Sequence, residues 1–571
     1  FYPFGDKSIL VWDMNWQYVS FFSWLTRTIR KTTADSIFYS FSMSYGSSTL
    51  GLLGYYLLSP FNVILLLFDT VDLPLGLWIV TILKLSCCGL TMYLFLARSF
   101  EQNRKDFLLF STSYAVMGYN VVQMQNIMWI DAVILLPLVA LGIKNYVKKK
   151  KFGLFVLSLA AAVAINFYTG YMLCLFSAIY LLAEVALDSE QFVFKKIFKK
   201  YFGGLFYIVL AVMMSGFSLL PVYYEISGSR MKESSLRSTF YMLKNLDSRM
   251  WELGNKLCIG TYNVHQLKSG LPNIYAGCLC FVLFILFFVS RKYKVSKKEK
   301  IIYAITCVVL LLSFVSVGVN MIWHGFAQAN GSPYRYSFFV SFLMIEIASR
   351  QYLKIQEGQE MVRKKDAAEL VNIGIAAILG AFLLYKGFVQ YKIDESDYLN
   401  LSQILLTVGF ILVWFVLLKL RKSHKMMIGT YKSYCMLFFL IIELGLNMGI
   451  DISHFSYEKI GEYQAYVQET ESVLKQIRKL DADPFYRIEN DIRYEQRNCN
   501  DAMLLGYPSI THYSSVLPYS VSKYASEEGM SSYPGSLSVV YKKEEANAEA
   551  AGRNGIKYLI TKSLPDNMQG W

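Results

Sequence analysis

Apolar runs of bilayer length dominate this chain and decide what it can fold into. They recur between positions 75 and 449, at roughly 75–97, 108–123, 132–146, 152–167, 172–187, 202–223, 273–290, 301–319, 337–353, 368–388, 402–420 and 431–449. About twenty apolar residues cross the hydrocarbon core of a membrane as a helix. There each backbone N–H and C=O must find its partner within the protein, and a helix provides that alone. The composition agrees: 17% of the residues are charged, against about 25% in a typical soluble domain. Mean hydropathy is +0.35. The sequence therefore reads as an all-α polytopic membrane protein of about 12 spans with a C-terminal extracytoplasmic α/β domain.

The net charge of +14 would suggest nucleic acid in a soluble protein. Here the basic residues sit in alternate short connections, as in Arg98/Arg104/Lys105, Lys148/Lys149/Lys150/Lys151 and Lys195/Lys196/Lys199/Lys200. The connections near 124–131, 168–171 and 320–336 hold almost no Lys or Arg. Basic short loops stay in the cytoplasm, so the pattern is a topology signal. No nucleic acid is expected as a partner; the lipid bilayer is. With the first basic connection inside, residues 1–74 start outside. They stay there only if 49–69, interrupted by Pro60 and Asn62, does not cross, because Pro breaks a helix. That segment reads as a re-entrant or surface-lying helix pair. Residues 15–30 read as an amphipathic helix suited to the membrane interface.

Three regions follow. Residues 1–74 form a first external loop with surface-lying helices. Residues 75–450 form the transmembrane domain, with a long external loop at 224–272. Residues 451–571 form an extracytoplasmic α/β domain, with a charged helix over 457–480, a break at Asp483-Pro484, and strand-like runs at 485–489 and 557–561. Residue 1 already lies in a polar stretch without an initiator Met, and the chain stops at Trp571 soon after a strand-like run. The expectation is a fragment at both ends, with a further span before residue 1.

The candidate chemistry begins with Gly5–Tyr18, which carries Asp6, Asp13, Asn15 and Gln17 among Trp12, Trp16 and Tyr18. Asp6 and Asp13 are not an adjacent acid pair. Asp13, fenced by aromatics, is the better candidate because desolvation perturbs a carboxyl there. It can serve as a general base, as a ligand for a divalent cation (Mg or Mn), or as a plain hydrogen-bond acceptor. Other polar connections carry Asn126 and Asp131, then Asn166 and Tyr168, then His265, then His324 and Arg335. An interfacial Asp, an aromatic turn and hydrogen-bonding histidines are the bland readings of these groups. Arg335 stands at an otherwise uncharged external end, where a guanidinium suits a phosphate and where snorkelling is the ordinary alternative. No P-loop, GxSxG or HExxH pattern is present. Seven of the nine Cys lie in or at apolar segments; Cys258 and Cys499 lie in polar regions and pair only if those regions meet. The spans hold few ionisable groups, which argues against an ion-coupled transporter.

Several motifs together resemble the bacterial YfhO-type membrane proteins. They are Pro3-Phe4-Gly5-Asp6-Lys7-Ser8 with Trp12-Asp13-Met14-Asn15-Trp16-Gln17-Tyr18, and Tyr55-Tyr56-Leu57-Leu58-Ser59-Pro60-Phe61-Asn62. Met128-Trp129-Ile130-Asp131, Asn166-Phe167-Tyr168-Thr169-Gly170-Tyr171, Gly270-Leu271-Pro272-Asn273-Ile274-Tyr275 and Ser332-Pro333-Tyr334-Arg335-Tyr336-Ser337 complete the set. That family is similar to the GT-C class of integral membrane glycosyltransferases, which use a polyprenyl-phosphate-linked sugar at the outer face of the membrane.

The resemblance implies a bacterial cell-membrane enzyme of the inverting type. It would glycosylate a cell-envelope polymer such as lipoteichoic or wall teichoic acid, or a glycolipid. Asp13 would be the catalytic acid, by base or metal chemistry, although the adjacent acid pair of metal-using members is missing. Arg335 would bind the carrier phosphate. Asp6, Asn15, Gln17, Asn126, Asp131, Asn166, Tyr168, His265 and His324 would line the substrate pocket. The alternative from another class is a flippase or transporter of lipid-linked saccharides; a third is an envelope-assembly scaffold.

Overall fold

The computed structural model describes residues 1–33, 35–189, 193–227, 236–290, 295–361, 398–419, 426–481, 483, 485–492, 497–530, 532, 536–541 and 548–562. Among them six helices are long and apolar enough to cross a membrane: Thr70–Ser99, Ile130–Lys149, Phe167–Asp188, Phe194–Met214, Leu401–Leu418 and Ser433–Ser453. This is a multi-pass membrane protein. The expected count of 12 is not reached among the described residues, where several runs are broken or short helices, Gly153–Ile165 and Cys278–Val289 among the short ones. The run 108–123 splits into Phe107–Ala115 and Gly118–Gln123, and Asn120 Nδ2 donates to the Tyr114 and Ala115 carbonyls that the break exposes. The run 202–223 breaks at Ser215, whose hydroxyl donates to the carbonyls of Ala160 and Ala211. The run 301–319 breaks at Ser316, which caps the short helix Val317–Trp323 by accepting from Val319 N. The expected span 368–388 lies outside the described residues, as does part of the external loop 224–272.

The segment 49–69 is a bent pair: Leu50–Leu57 and Pro60–Leu67 meet at 91°. Proline has no N–H to continue the helix. Asn62 Nδ2 donates to the Leu57 carbonyl at 2.9 Å and so pairs one group at the corner. Ser59 donates to Asp131 Oδ1 at 2.9 Å, and Asp131 Oδ2 accepts from Lys84 Nζ at 2.7 Å. Lys84 also donates to the Ile127 carbonyl at 2.9 Å, and both charged groups are buried. The corner is thus pinned to two membrane helices by an ion pair.

The spans hold more charge than the sequence suggests. Lys144 pairs with Glu346 at 2.7 Å and Glu184 at 3.1 Å, and Arg350 reaches Glu346 at 3.3 Å. Tyr180 donates to the same glutamate at 2.9 Å. Glu443 accepts from the Tyr275 hydroxyl, the Trp414 indole and the Cys278 backbone N–H. These charges come from different helices and satisfy one another, so they fix packing. The shortage of intramembrane charge therefore does not hold as an argument against a transporter.

The two ends of the chain pack together. The helical stretch Met14–Ile29 does not lie on a surface: every residue from Val19 to Thr26 is buried. Aromatic side chains on several faces suit enclosure as well as they suit an interface. The C-terminal part provides the cover. It has a helix at Ile460–Leu480, strand Arg487–Asn490 parallel to Ile556–Ile560, and strand His512–Tyr513 antiparallel to Ser538–Val539. Ser23 donates to the Leu504 carbonyl at 2.7 Å, and Tyr463 to the Thr70 carbonyl at 2.8 Å. The Tyr56 and Ser515 hydroxyls meet at 2.7 Å.

Replacing Lys84 by Met strands Asp131 as a buried charge and lowers stability by about 3–5 kcal/mol. Lys84→Met with Asp131→Leu recovers most of that loss. Thermal unfolding of the purified protein in detergent measures both.

Candidate functional site

Asp13 stands at the start of an unusual turn. Trp12 just before it has φ of +48°, a conformation that costs a bulky residue energy and is held only where surrounding packing imposes it. Met14–Tyr18 is a π-helical turn, in which Val19 N donates to Met14 O. One extra residue per turn brings the fifth residue onward alongside the first. Gln17 Nε2 donates to Asp13 Oδ1 at 2.9 Å, and the Tyr18 hydroxyl lies 3.4 Å from Asp13 Oδ2. The same hydroxyl lies 2.9 Å from Asn126 Oδ1, and Asn126 Nδ2 donates to Gln123 at 2.7 Å. The phenol donates toward both acceptors, more closely to Asn126.

Arg335 faces this turn from the segment before helix Phe338–Met361. Its guanidinium carbon lies 4.8 Å from the Trp129 ring centre and 5.3 Å from that of Tyr168. Nη2 donates to the Asn330 and Gly331 carbonyls at 2.9 and 3.0 Å, and Nη1 donates to the Tyr168 hydroxyl at 3.3 Å. Nε is buried without a partner. Among the described residues no carboxylate forms an ion pair with Arg335. The Pro333 carbonyl can only accept, so His324 Nε2, 2.8 Å away, carries the ring proton. His324 Nδ1 then accepts from the Tyr168 hydroxyl at 2.5 Å. Asn166 caps helix Phe167–Asp188 by accepting from Thr169 N, and its Nδ2 donates to the Tyr55 carbonyl at 2.7 Å. Tyr168 is thereby held against the bent pair, with its ring 5.8 Å from that of Tyr55.

Burial raises the Asp13 carboxyl above the usual range, against the lowering pull of the Gln17 bond, the Arg335 charge and the Tyr18 bond. Burial and then the Arg335 charge push His324 down to about 3, so it is neutral. The site thus pairs a carboxyl of raised proton affinity with a cation that forms no ion pair among the described residues. Such a pair can accept a proton at one point and hold an anion at another. Among the described residues no three His, Cys, Asp or Glu converge.

The structure brings together Asp13, Gln17, Asn126, Asn166, Tyr168, His324 and Arg335. Asn15 lies on the same turn, with its Oδ1 buried and unpaired. Three expected residues stand elsewhere. Asp6 is exposed and contributes its carbonyl to Ile460 N. His265 is exposed on helix Val264–Ser269. Asp131 is taken up by Lys84 and Ser59. The sequence reading passed over Tyr18, Trp129 and Tyr55 as site residues. A π-turn leaves no spacing signature, so Tyr18 carried no signal. Trp129 read as a membrane-belt residue. Cys258 and Cys499 are both free thiols.

A family model described as "Bacterial membrane protein YfhO" matches residues 1–569. The uncharacterized protein YfhO of Bacillus subtilis (strain 168) is 21% identical over 520 residues, which is 85% of this chain and 53% of that protein. The chain spans about half the length of that curated relative. Among solved structures, ArnT from Cupriavidus metallidurans bound to undecaprenyl phosphate aligns over 88% of this chain and 82% of that one. Identity is 12% and the TM-score 0.29, too loose a superposition to transfer geometry.

A neutral buried His324 has a pH consequence. Its pKa is about 3 folded and about 6.5 unfolded, so the unfolded chain binds the extra proton. Its contribution to stability is full above about pH 6.5 and is lost as pH falls toward 3, by up to about 1.4 kcal/mol per pH unit. His324→Gln removes that part of the slope, measured as melting temperature between pH 7 and 4.5.

Proposed function

The chain belongs to the YfhO family of bacterial membrane proteins, and from that premise we propose that it is a membrane glycosyltransferase. It moves a sugar from a polyprenyl-phosphate carrier to a cell-envelope acceptor at the outer face of the membrane, with inversion. The acceptor class is lipoteichoic or wall teichoic acid, or a glycolipid. One observation carries the reading: the Arg335 guanidinium, set over the Trp129 and Tyr168 rings and without an ion pair among the described residues, faces a carboxyl whose proton affinity is raised. A buried cation without a counter-ion is costly, and a ligand anion offsets that cost.

In this mechanism ionised Asp13 takes the proton of the acceptor hydroxyl as its oxygen attacks the anomeric carbon. The bond from that carbon to the carrier phosphate oxygen breaks, and the phosphate leaves with the electron pair. Arg335 holds the charge that develops on it. Gln17 and Tyr18, which donate to Asp13, hold the carboxylate in place as it takes the proton. Asn166 and His324 act through Tyr168, which they hold against the guanidinium. Sidedness is supported by the alternation of basic loops, which places residues 1–74 and 451–571 outside. No step is routed through a divalent cation.

The test is transfer of labelled sugar from a polyprenyl-phosphate donor in reconstituted membranes. Loss of a general base costs about 10²–10⁴ in rate, so Asp13→Asn is expected to fall by that much while inserting normally. Arg335→Ala is expected to raise the donor concentration needed. The wild-type rate falls as pH drops through the raised Asp13 pKa, earlier than for an ordinary carboxylate. Full activity in Asp13→Asn sinks the assignment. Movement of the lipid-linked saccharide without a new glycosidic bond, unaffected by Asp13→Asn, favours the flippase instead.

A further inference from the structure

The C-terminal segment reaches the turn that carries Asp13. Asn500 is wholly buried beneath it. Its Nδ2 donates to the Trp16 carbonyl at 3.2 Å, in the middle of the π-turn, and its Oδ1 accepts from Tyr513 N at 3.1 Å. One amide therefore joins the wide turn Met14–Tyr18 to the strand His512–Tyr513. A π-turn is rare, and its backbone groups are not in the register of an α-helix. A side chain that takes a carbonyl at its centre favours it over the α-helical alternative. In an α-helix Tyr18 would turn away from Asp13, since neighbours on one face are three and four apart.

We propose that Asn500 is a positioning residue for Asp13, and that residues 499–515 of the C-terminal part form one half of the candidate site. The proposal rests on the reading of Asp13 as the reacting carboxylate. It changes the meaning of the C-terminal region, which the sequence presents as an appended module. Removing 455–571 would take away the support of the Asp13 turn.

The groups around Asp13 come from every element packed there. Gln17 and Tyr18 belong to its own turn, and Arg335 to the segment before helix Phe338–Met361. Tyr55 and Tyr56 come from the bent pair, and Tyr513 from the C-terminal part. Burial and then the Asp13 charge raise the Tyr513 phenol, which places it within electrostatic reach of the carboxyl.

The experiment reads Asp13 without any substrate. The purified full chain is treated with a hydrophobic carbodiimide, which modifies protonated carboxyls, across pH 4–8, a range of about four units around a perturbed carboxyl. Labelling of Asp13 and of Glu489 is followed by peptide mapping. Glu489 is buried in the same C-terminal part and held by Ser509, Ile510 N and Thr511. Asn500→Ala is expected to lower the Asp13 labelling midpoint by about one pH unit, a tenfold change in protonated fraction, as the released turn lets water in. The Glu489 profile stays as in the wild type. Tyr463→Phe removes the bond from the C-terminal helix to Thr70 and leaves the Asp13 midpoint unchanged. An Asn500→Ala profile that superimposes on wild type overturns the proposal. So does a Glu489 midpoint that moves with Asp13, or an equal Asp13 shift in Tyr463→Phe, because either reports general loosening. A wild-type protein inert in sugar transfer sinks the glycosyltransferase reading and leaves this measurement standing.

Discussion

A helix that stops inside a membrane protein must pass its carbonyls and N–H groups to a partner within the protein, because lipid offers none. Much of this architecture answers that demand. The corner at Ser59-Pro60 is closed by Asn62, the break after Ala115 by Asn120, the break at Ser215 by its own hydroxyl and the break at Ser316 likewise. Each interruption costs a polar side chain. The Lys84–Asp131 pair belongs to the same economy of satisfied groups: it holds the bent pair against two membrane helices, and the bent pair presents Tyr55 beside Tyr168.

Much of this was legible in the sequence. The apolar runs gave the class, Pro60 gave the corner, and the charged helix and two strand-like runs after 457 appear close to where their patterns place them. Asp13 and Arg335, more than three hundred positions apart, are brought to face each other. Their residue types carried that signal: an acid among aromatics, and a cation at an end otherwise free of charge.

What stayed hidden has physical causes. Hydropathy averages over a window, so it cannot see a helix interrupted by one serine, and it counted broken helices as spans. It also hides paired charges: Lys144, Glu184 and Glu346 sit in separate apolar runs and, with Arg350, become neutral as a set only when the helices meet. Asp131 looked like a site residue because its partner Lys84 is 47 positions away. Asn500 carried no local signal at all, since its role depends on a carbonyl at the other end of the chain.

The meeting of the two ends bears on biogenesis. Ser23 and Leu504 bond across 481 positions, and Trp16 and Asn500 across 484. Contacts so distant in sequence are closed late, because the loop entropy is spent before they return anything. Residues 497–515 must be made before the Asp13 turn receives its support. Met14–Tyr18 is made early and waits, incomplete, until they arrive. The candidate site therefore assembles late, and a chain terminated before residue 500 carries an unsupported turn.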